Sequence, residues 1–349
     1  MEPKGATPIM KRPIFLLFGT PLLASPACFL STREQDPFFM EGQVLYWKVQ
    51  QNALDYLAVK DYQVQGSGEQ PGVLGTADLQ GTVLEQPFDW TLGGRLMAGY
   101  HFGQTDWTLS ADFTWYQVTD RGSKTRPEVP FGFITPLNNW GGNINAVPML
   151  FSQTKIDFQY KVARANFLGT WEWSDRFFGT VGFGLIENWS SQKWKVLYFS
   201  PAPITAVNYT KWQYRGIGLN LIGSADFCLG AGFDVGVSAA QAGLYGPYKM
   251  SNNATDVTGA VLRQYAQVTT KKRMNVLWQT QLGGDLSWSY AFKMLSMKLT
   301  AGYEVNILNG INVQYQSAGS NTNGGAASLS ASDSAIYLQG LNGAIAFSY

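Results

Sequence analysis

The sequence predicts an all-β fold: a transmembrane antiparallel up-and-down β-barrel of about ten strands, with short turns at one end and long loops at the other. Three observations predict it. Apolar and polar residues alternate with a period of two, charge is scarce, and aromatic side chains stand at both ends of each apolar stripe. The segment Trp90 to Trp115 shows all three. Trp90, Leu92, Leu96, Ala98, Tyr100 and Phe102 share one parity, and Thr91, Gly93, Arg95, Met97, Gly99 and His101 the other. After Gly103-Gln104-Thr105-Asp106 the pattern restarts, with Trp107, Leu109, Ala111, Phe113 and Trp115 opposite Thr108, Ser110, Asp112, Thr114 and Tyr116. Successive strand side chains point to opposite faces, so each strand has one apolar face. Tyr and Trp favour the membrane–water interface, while the middle of the stripe must match hydrocarbon.

Composition agrees. Only 14% of the 349 residues are charged, against roughly 25% in an ordinary soluble domain. Aromatics make up another 14%, yet mean hydropathy is −0.10, which excludes a polytopic bundle of transmembrane helices. A barrel reconciles these facts because only every second residue need be apolar. The alternative at this point is a large secreted all-β protein. The formal net charge is +1, so no nucleic-acid partner is expected. The short cluster Lys271-Lys272-Arg273 reads as a solvated strand end.

Residues 1–27 read as a signal peptide. Lys4, Lys11 and Arg12 form a basic start, Pro13 to Ala24 an apolar core, and Ser25-Pro26-Ala27 a small-residue cleavage site. Met10 is an alternative start. The core is shorter than the roughly 20 residues of a membrane helix. Export and cleavage near Ala27 are expected, followed by a short periplasmic segment, 28–38, and the barrel, 39–349. Cys28 and Cys228 are the only cysteines, and an exported pair is a candidate disulfide, though not a disulfide framework. The residues before Cys28 make a poor lipid-attachment site.

The strands follow in order. The opening strand is Phe39 to Lys48, with Met40, Val44 and Tyr46 on one face, then a polar segment from Val49 to about Phe88. The hairpin at Trp90 to Trp115 comes next, then a Pro- and Asn-containing segment from Thr119 to Thr154. Strand 156–171 has neither parity fully apolar, which predicts a bulge or register change. It turns at Ser174-Asp175 into a clean strand carrying Phe177, Gly179, Val181, Phe183 and Leu185. After a loop near Phe199 to Asn208, Ile217, Leu219 and Leu221 pair across a turn near Asp226 with Leu229, Ala231, Phe233, Val235 and Val237. A polar loop is expected from Pro247 to Lys271. Met274 to Leu286 then pairs with Leu295 to Ile307, a Gly/Ser/Asn-rich loop covers Asn309 to Ser332, and the last strand is Ala335 to Tyr349.

Short turns thus alternate with long loops, and in outer-membrane barrels the short ones are periplasmic. An even strand count puts both termini there. The alternation Leu54, Tyr56, Ala58 inside 49–88 hints at a further hairpin, so 12–16 strands stay open. The chain ends on Tyr337, Leu341, Ile345, Phe347 and Tyr349 in one parity. A terminal aromatic strand of this kind suits presentation to the barrel-assembly machinery. Localisation in a bacterial outer membrane, with outer-membrane lipid as the surrounding partner, follows.

Gly42-Gln43-Val44-Leu45-Tyr46-Trp47-Lys48, Trp90 followed by Gly94-Arg95 and Gly99-Tyr100, then Asp106-Trp107, Thr114-Trp115 and Gly243-Leu244-Tyr245-Gly246 resemble blocks of the major outer-membrane proteins of Legionella and chlamydia-like bacteria. The resemblance covers most of the mature chain outside the loops. It implies a pore-forming porin that passes small hydrophilic solutes. It also implies a homo-oligomer; two cysteines are too few for the extensive crosslinking of some relatives.

With the apolar parity on lipid, the opposite parity faces the lumen. That makes Arg95, His101, Asp112, Asp234, Lys298 and Glu304 candidate pore-lining residues, mixed in sign and able to bias ion passage. Charge on the lipid face would cost about 2–4 kcal/mol at midplane, which is why none is expected there. The alternative is that they fill a narrow barrel as ion pairs. Catalysis finds little support: His101 is the only histidine, so His-pair metal sites are excluded, and no nucleophile motif accompanies it. Gly230-Ala231-Gly232 opens no helix and is not a nucleotide loop. No cofactor or metal is expected. The function expected is passive diffusion of small hydrophilic solutes through the lumen, as a porin; the alternative is a narrow or closed barrel that serves as surface scaffold or adhesin through its long loops. About ten strands lies between side-chain-filled small barrels and the wide 16–18-stranded channels.

Overall fold

The computed structural model describes residues 37–51, 54–60, 82–86, 88–102, 106–125, 133–136, 150–199, 204–258, 261–269, 273–292, 295–318 and 328–349. The expected signal peptide (1–27) and Cys28 lie outside the described residues. The strands are β1 (Phe38–Gln51), β2 (Asp55–Lys60), β3 (Thr82–Glu85), β4 (Thr91–His101), β5 (Trp107–Thr125), β6 (Phe133–Pro136) and β7 (Phe151–Ser174). They continue with β8 (Phe177–Phe199), β9 (Ile204–Gly230), β10 (Phe233–Thr258), β11 (Val261–Thr269), β12 (Arg273–Ala291), β13 (Ser296–Ala318) and β14 (Ser328–Ser348).

Ten of these close a barrel in the order β1-β4-β5-β7-β8-β9-β10-β12-β13-β14, every neighbour antiparallel and β14 returning to β1. Closure matters because an open sheet edge in lipid would leave backbone N–H and C=O groups unsatisfied. The ten-stranded up-and-down architecture is the one the alternation predicted. The extra hairpin hinted at inside 49–88 exists as β2 and β3, but it stands apart from the wall. With β6 from the second long connection it makes a separate three-stranded sheet.

Each long strand has two parts. Near the short turns its outward face is apolar and exposed: Val44, Leu92, Leu96, Leu109, Val181, Phe183, Leu185, Leu219, Leu221, Val235, Val237, Leu282, Leu286 and Leu341 form a continuous band. Aromatics rim it on the periplasmic side (Tyr100, Trp107, Trp171, Phe233, Tyr290, Tyr349) and on the other (Tyr46, Trp90, Trp115, Tyr245, Trp278). Beyond the second rim the polarity inverts. Inward Leu45, Trp47, Tyr116, Ile156, Phe158, Tyr160, Trp194, Trp212, Leu244 and Leu338 join one buried apolar cluster, while outward positions such as Lys155, Lys161, Lys193 and Lys195 meet water. The wall therefore rises out of the bilayer as a water-soluble barrel with an ordinary apolar core.

This inversion corrects the reading of strand 156–171. β7 pairs without interruption from Phe151 to Glu172, its one register shift falling at Glu172/Ser174 beside the turn. No bulge interrupts it. Ile156, Phe158, Tyr160 and Val162 point in, whereas Phe167 and Trp171 lie on the other parity and face out. Neither parity is uniformly apolar because the medium changes half-way along.

The same extension shortens the expected loops. β10 runs past Pro247 to Thr258 and turns back as β11, which pairs along its upper part. β13 and β14 reach Ala318 and Ser328, well into the stretch expected as loop. The β9–β10 turn is not near Asp226 but at Ala231–Gly232, where φ is +53° and +82°. Asp226 lies within β9, paired with Gly236. Gly230-Ala231-Gly232 is thus a hairpin turn.

Between β9 and β10 the ladder lapses from Tyr245/Ile217 to Tyr248/Tyr214, where Pro247 has no N–H to donate. The strands stay close there only because of glycine. A Cβ on Gly246 would stand 1.9 Å from the Arg215 carbonyl oxygen, and one on Gly218 1.8 Å from that of Gly243.

Candidate functional site in the barrel interior

The register places all six candidate lumen residues on inward positions, opposite the apolar band of their strands. Three of them meet. Arg95 on β4 donates from both terminal nitrogens to Glu304 on β13, at 3.0 and 2.9 Å. Its remaining donors reach Gln43 Oε1 and Thr114 Oγ1, each at 2.8 Å. Glu304 also accepts from Gln281 Nε2 at 2.8 Å and Asn306 Nδ2 at 2.5 Å. Asp112 on β5 accepts from Arg164 Nε on β7 at 3.0 and 3.1 Å, and Arg164 Nη1 donates to Gln281 Oε1 at 2.5 Å.

The chain Asp112–Arg164–Gln281–Glu304–Arg95 therefore runs from β7 across the lumen to β12 and back through β13 to β4. β7 and β12 are separated along the wall by β8, β9 and β10 on one side, so Gln281 bridges opposite walls. Both ion pairs are buried, with side-chain exposures of 11% and 4% for Arg95 and Glu304 and 9% and 5% for Arg164 and Asp112. Charges so far from water persist only when their hydrogen-bonding groups are met. Here Arg95 and Glu304 each have three partners, Arg164 has Asp112 and Gln281, and both Asp112 oxygens accept from Arg164 Nε.

A second polar layer lies just above. Gln279 on β12 donates to Tyr160 OH at 2.8 Å and accepts from Asn188 Nδ2 at 3.3 Å, again spanning the lumen. Over it sits the apolar cluster, into which the first long connection contributes Leu54 and Phe88. Gln86 Oε1 accepts from Thr154 Oγ1 at 2.5 Å, and Tyr116 OH donates to the Trp47 carbonyl at 3.1 Å. Arg95 is stacked 6.0 Å beneath the Trp47 ring, tying the ionic layer to the packed one.

Below the ionic layer the lumen opens into a cavity of about 360 Å³. It holds His101 and Lys298 with Glu41, Asp226 and Asp285, and reaches the periplasmic strand ends at Ser296 and Ser348. His101 Nδ1 is 2.6 Å from Thr108 Oγ1, and its ring stacks on Phe39 at 5.0 Å. Asp234 stands apart at the β9–β10 turn, 2% exposed, with Cys228 Sγ 3.0 Å from its Oδ1. No cysteine among the described residues is free, and no metal-binding cluster of His, Cys, Asp and Glu occurs among them.

Sequence reasoning missed Arg164, Gln281, Gln43, Glu41 and Asp285. Four of these were within reach: Glu41 and Gln43 oppose Met40 and Val44, and Gln281 and Asp285 oppose Leu282 and Leu286. Arg164 sits at the level where β7 changes medium, so no parity rule singles it out.

A family model described as "Legionella pneumophila major outer membrane protein precursor" matches residues 31–342. The chain belongs to that family. Its place in a bacterial outer membrane follows, in agreement with the exposed apolar band and its aromatic rims. No curated protein matches this family member. Among solved structures it is similar to the Pseudomonas putida toluene transporter TodX, with 8% identity, TM-score 0.34, and 94% of this chain and 92% of that one covered. It is also similar to the Escherichia coli outer membrane protease OmpT, with 10% identity, TM-score 0.36, and coverage of 95% and 99%.

Proposed function

We propose that this outer-membrane barrel is closed across its middle and acts as a surface scaffold or adhesin, through its tall extracellular half and long connections. One observation carries the reading: two hydrogen-bonded layers and a packed apolar core follow one another across the lumen, with Trp47, Ile156, Phe158 and Trp212 almost wholly buried. Small barrels are filled by side chains in this way. Planar bilayers test it. The folded, heat-modifiable protein is expected to be silent, and stepwise ohmic conductance from the same preparation would overturn the reading.

The second reading is a porin for passive diffusion of small hydrophilic solutes, favoured by the charged cavity around Lys298, Asp285 and Glu41. It requires the Arg95–Glu304 layer to open, so Arg95→Ala/Glu304→Ala would then raise conductance. Both readings are non-enzymatic. The single histidine sits against Thr108 and Phe39. We further propose that β14, with Tyr349 directly after it, engages the assembly machinery, that the protein self-associates, and that Cys28 pairs with Cys228. Thiol labelling of native envelopes should leave both cysteines unmodified; two alkylated cysteines would refute the pairing.

A further inference from the structure

Immediately above the lipid band, the outer face of β5 and β7–β10 is strongly basic. The lowest row places Trp115, Lys161, Trp189 and Arg215 side by side on consecutive strands. The row beneath it is apolar apart from Glu187 on β8, which Ala163 on β7 and Ile217 on β9 flank. Arg215 lies over the Trp189 ring at 5.8 Å and donates to Glu187 at 2.9 Å. One row higher Lys249 pairs with Gln213, and the next holds Lys193 opposite Lys211. Arg121, Lys155 and Lys195 align in a further row. Among the described residues on this face, eight bases meet two acids, Asp157 and Glu187. A depression of about 400 Å³ lies in the patch, bordered by Lys161, Trp189, Gln213, Arg215 and Lys249.

We infer that this face binds an anionic, multiply phosphorylated lipid of the outer leaflet. Its height argues for a lipid: the basic rows begin where the apolar band ends, at the level of the headgroups. Its extent argues for several phosphates. From Lys161 to Lys155 is six residues, about 20 Å along the strand, farther than a single phosphate next to its acyl chains can reach. The Trp115 and Trp189 rings at the boundary seat the headgroup edge, and the lysines above offer mobile ammonium groups to phosphates farther out.

The test is retention of lipid by the full-length folded protein after delipidation, read by native mass spectrometry. The probes are bis-phosphorylated lipid A, its dephosphorylated form, phosphatidylglycerol, and inorganic phosphate as competitor. Wild type should retain bis-phosphorylated lipid A well above the other two lipids and resist millimolar phosphate. Lys161→Gln, Arg215→Gln and Lys249→Gln together should weaken retention by about fivefold per charge removed, with Lys48→Gln on β1 unchanged. Should the triple variant lose heat-modifiability, Lys193→Gln/Lys211→Gln carries the same expectation. Equal retention by either variant, equal retention of phosphatidylglycerol, or displacement by inorganic phosphate would each overturn the inference.

Discussion

Arg95 and Glu304 are worth more as a pair than either is alone. Removing one partner leaves the other buried and uncompensated, so Arg95→Ala or Glu304→Ala should destabilise the folded barrel by about 3–5 kcal/mol. Arg95→Met/Glu304→Leu should recover much of that loss, because no charge is then stranded. Urea unfolding in lipid vesicles reads all three, and equal losses in the single and double variants would show that packing, not charge, dominates. Ala231 is a separate case. It holds a left-handed φ of +53° at the β9–β10 turn, which costs an L-residue roughly 1–2 kcal/mol. Ala231→Gly should stabilise the barrel by about 1 kcal/mol in the same assay, offset in part by the freer unfolded chain.

Strands β7–β9 are continuous structural units that cross two media. Their lipid-facing part is held by the bilayer and the backbone ladder, whereas their upper part depends on an apolar core like that of a soluble protein. Tyr160→Ala or Trp212→Ala should therefore cost about 3–5 kcal/mol, as for large aromatics in water-soluble cores, and should loosen the extracellular half first. Hydrogen exchange should show amides near Trp194 and Trp212 opening while those near Val181 to Leu185 stay protected. Uniform opening along the strand would contradict a two-part strand. Where β9 meets β10, Gly246→Ala should impair folding, since the atom it strikes is the Arg215 backbone oxygen and no rotamer can yield.

The assembled barrel has a defined depth in the membrane. Trp90, Trp107, Trp115 and Trp171 stand on the outer surface at the rims, while Trp47, Trp194 and Trp212 are buried inside the upper core. Brominated acyl chains should quench single-tryptophan variants of the first group and leave those of the second bright. Quenching at Trp194 or Trp212 would place the upper half in lipid and reverse the assignment of media. The lumen is likewise a property of the whole: closure of ten strands sets the distance over which Arg164 on β7 and Gln281 on β12 meet.

Period-two alternation, scarce charge and aromatic rims were enough to read the barrel, its approximate strand number and the inward parity of Arg95, Asp112 and Glu304. Those features are local, because a strand's two faces are fixed by its own pleat. What the sequence by itself left undetermined is which medium each face meets at each height. The apolar run Ile156, Phe158, Tyr160 looks the same whether it greases a lipid face or fills a core, and only the position of β7 in the closed wall decides between them. Nor could parity say that Arg164 reaches Gln281 across the lumen, since barrel closure brings together residues 117 positions apart. The tertiary structure decided which inward groups meet, for a hydrogen bond such as Arg164 to Gln281 requires two opposite walls at a set distance.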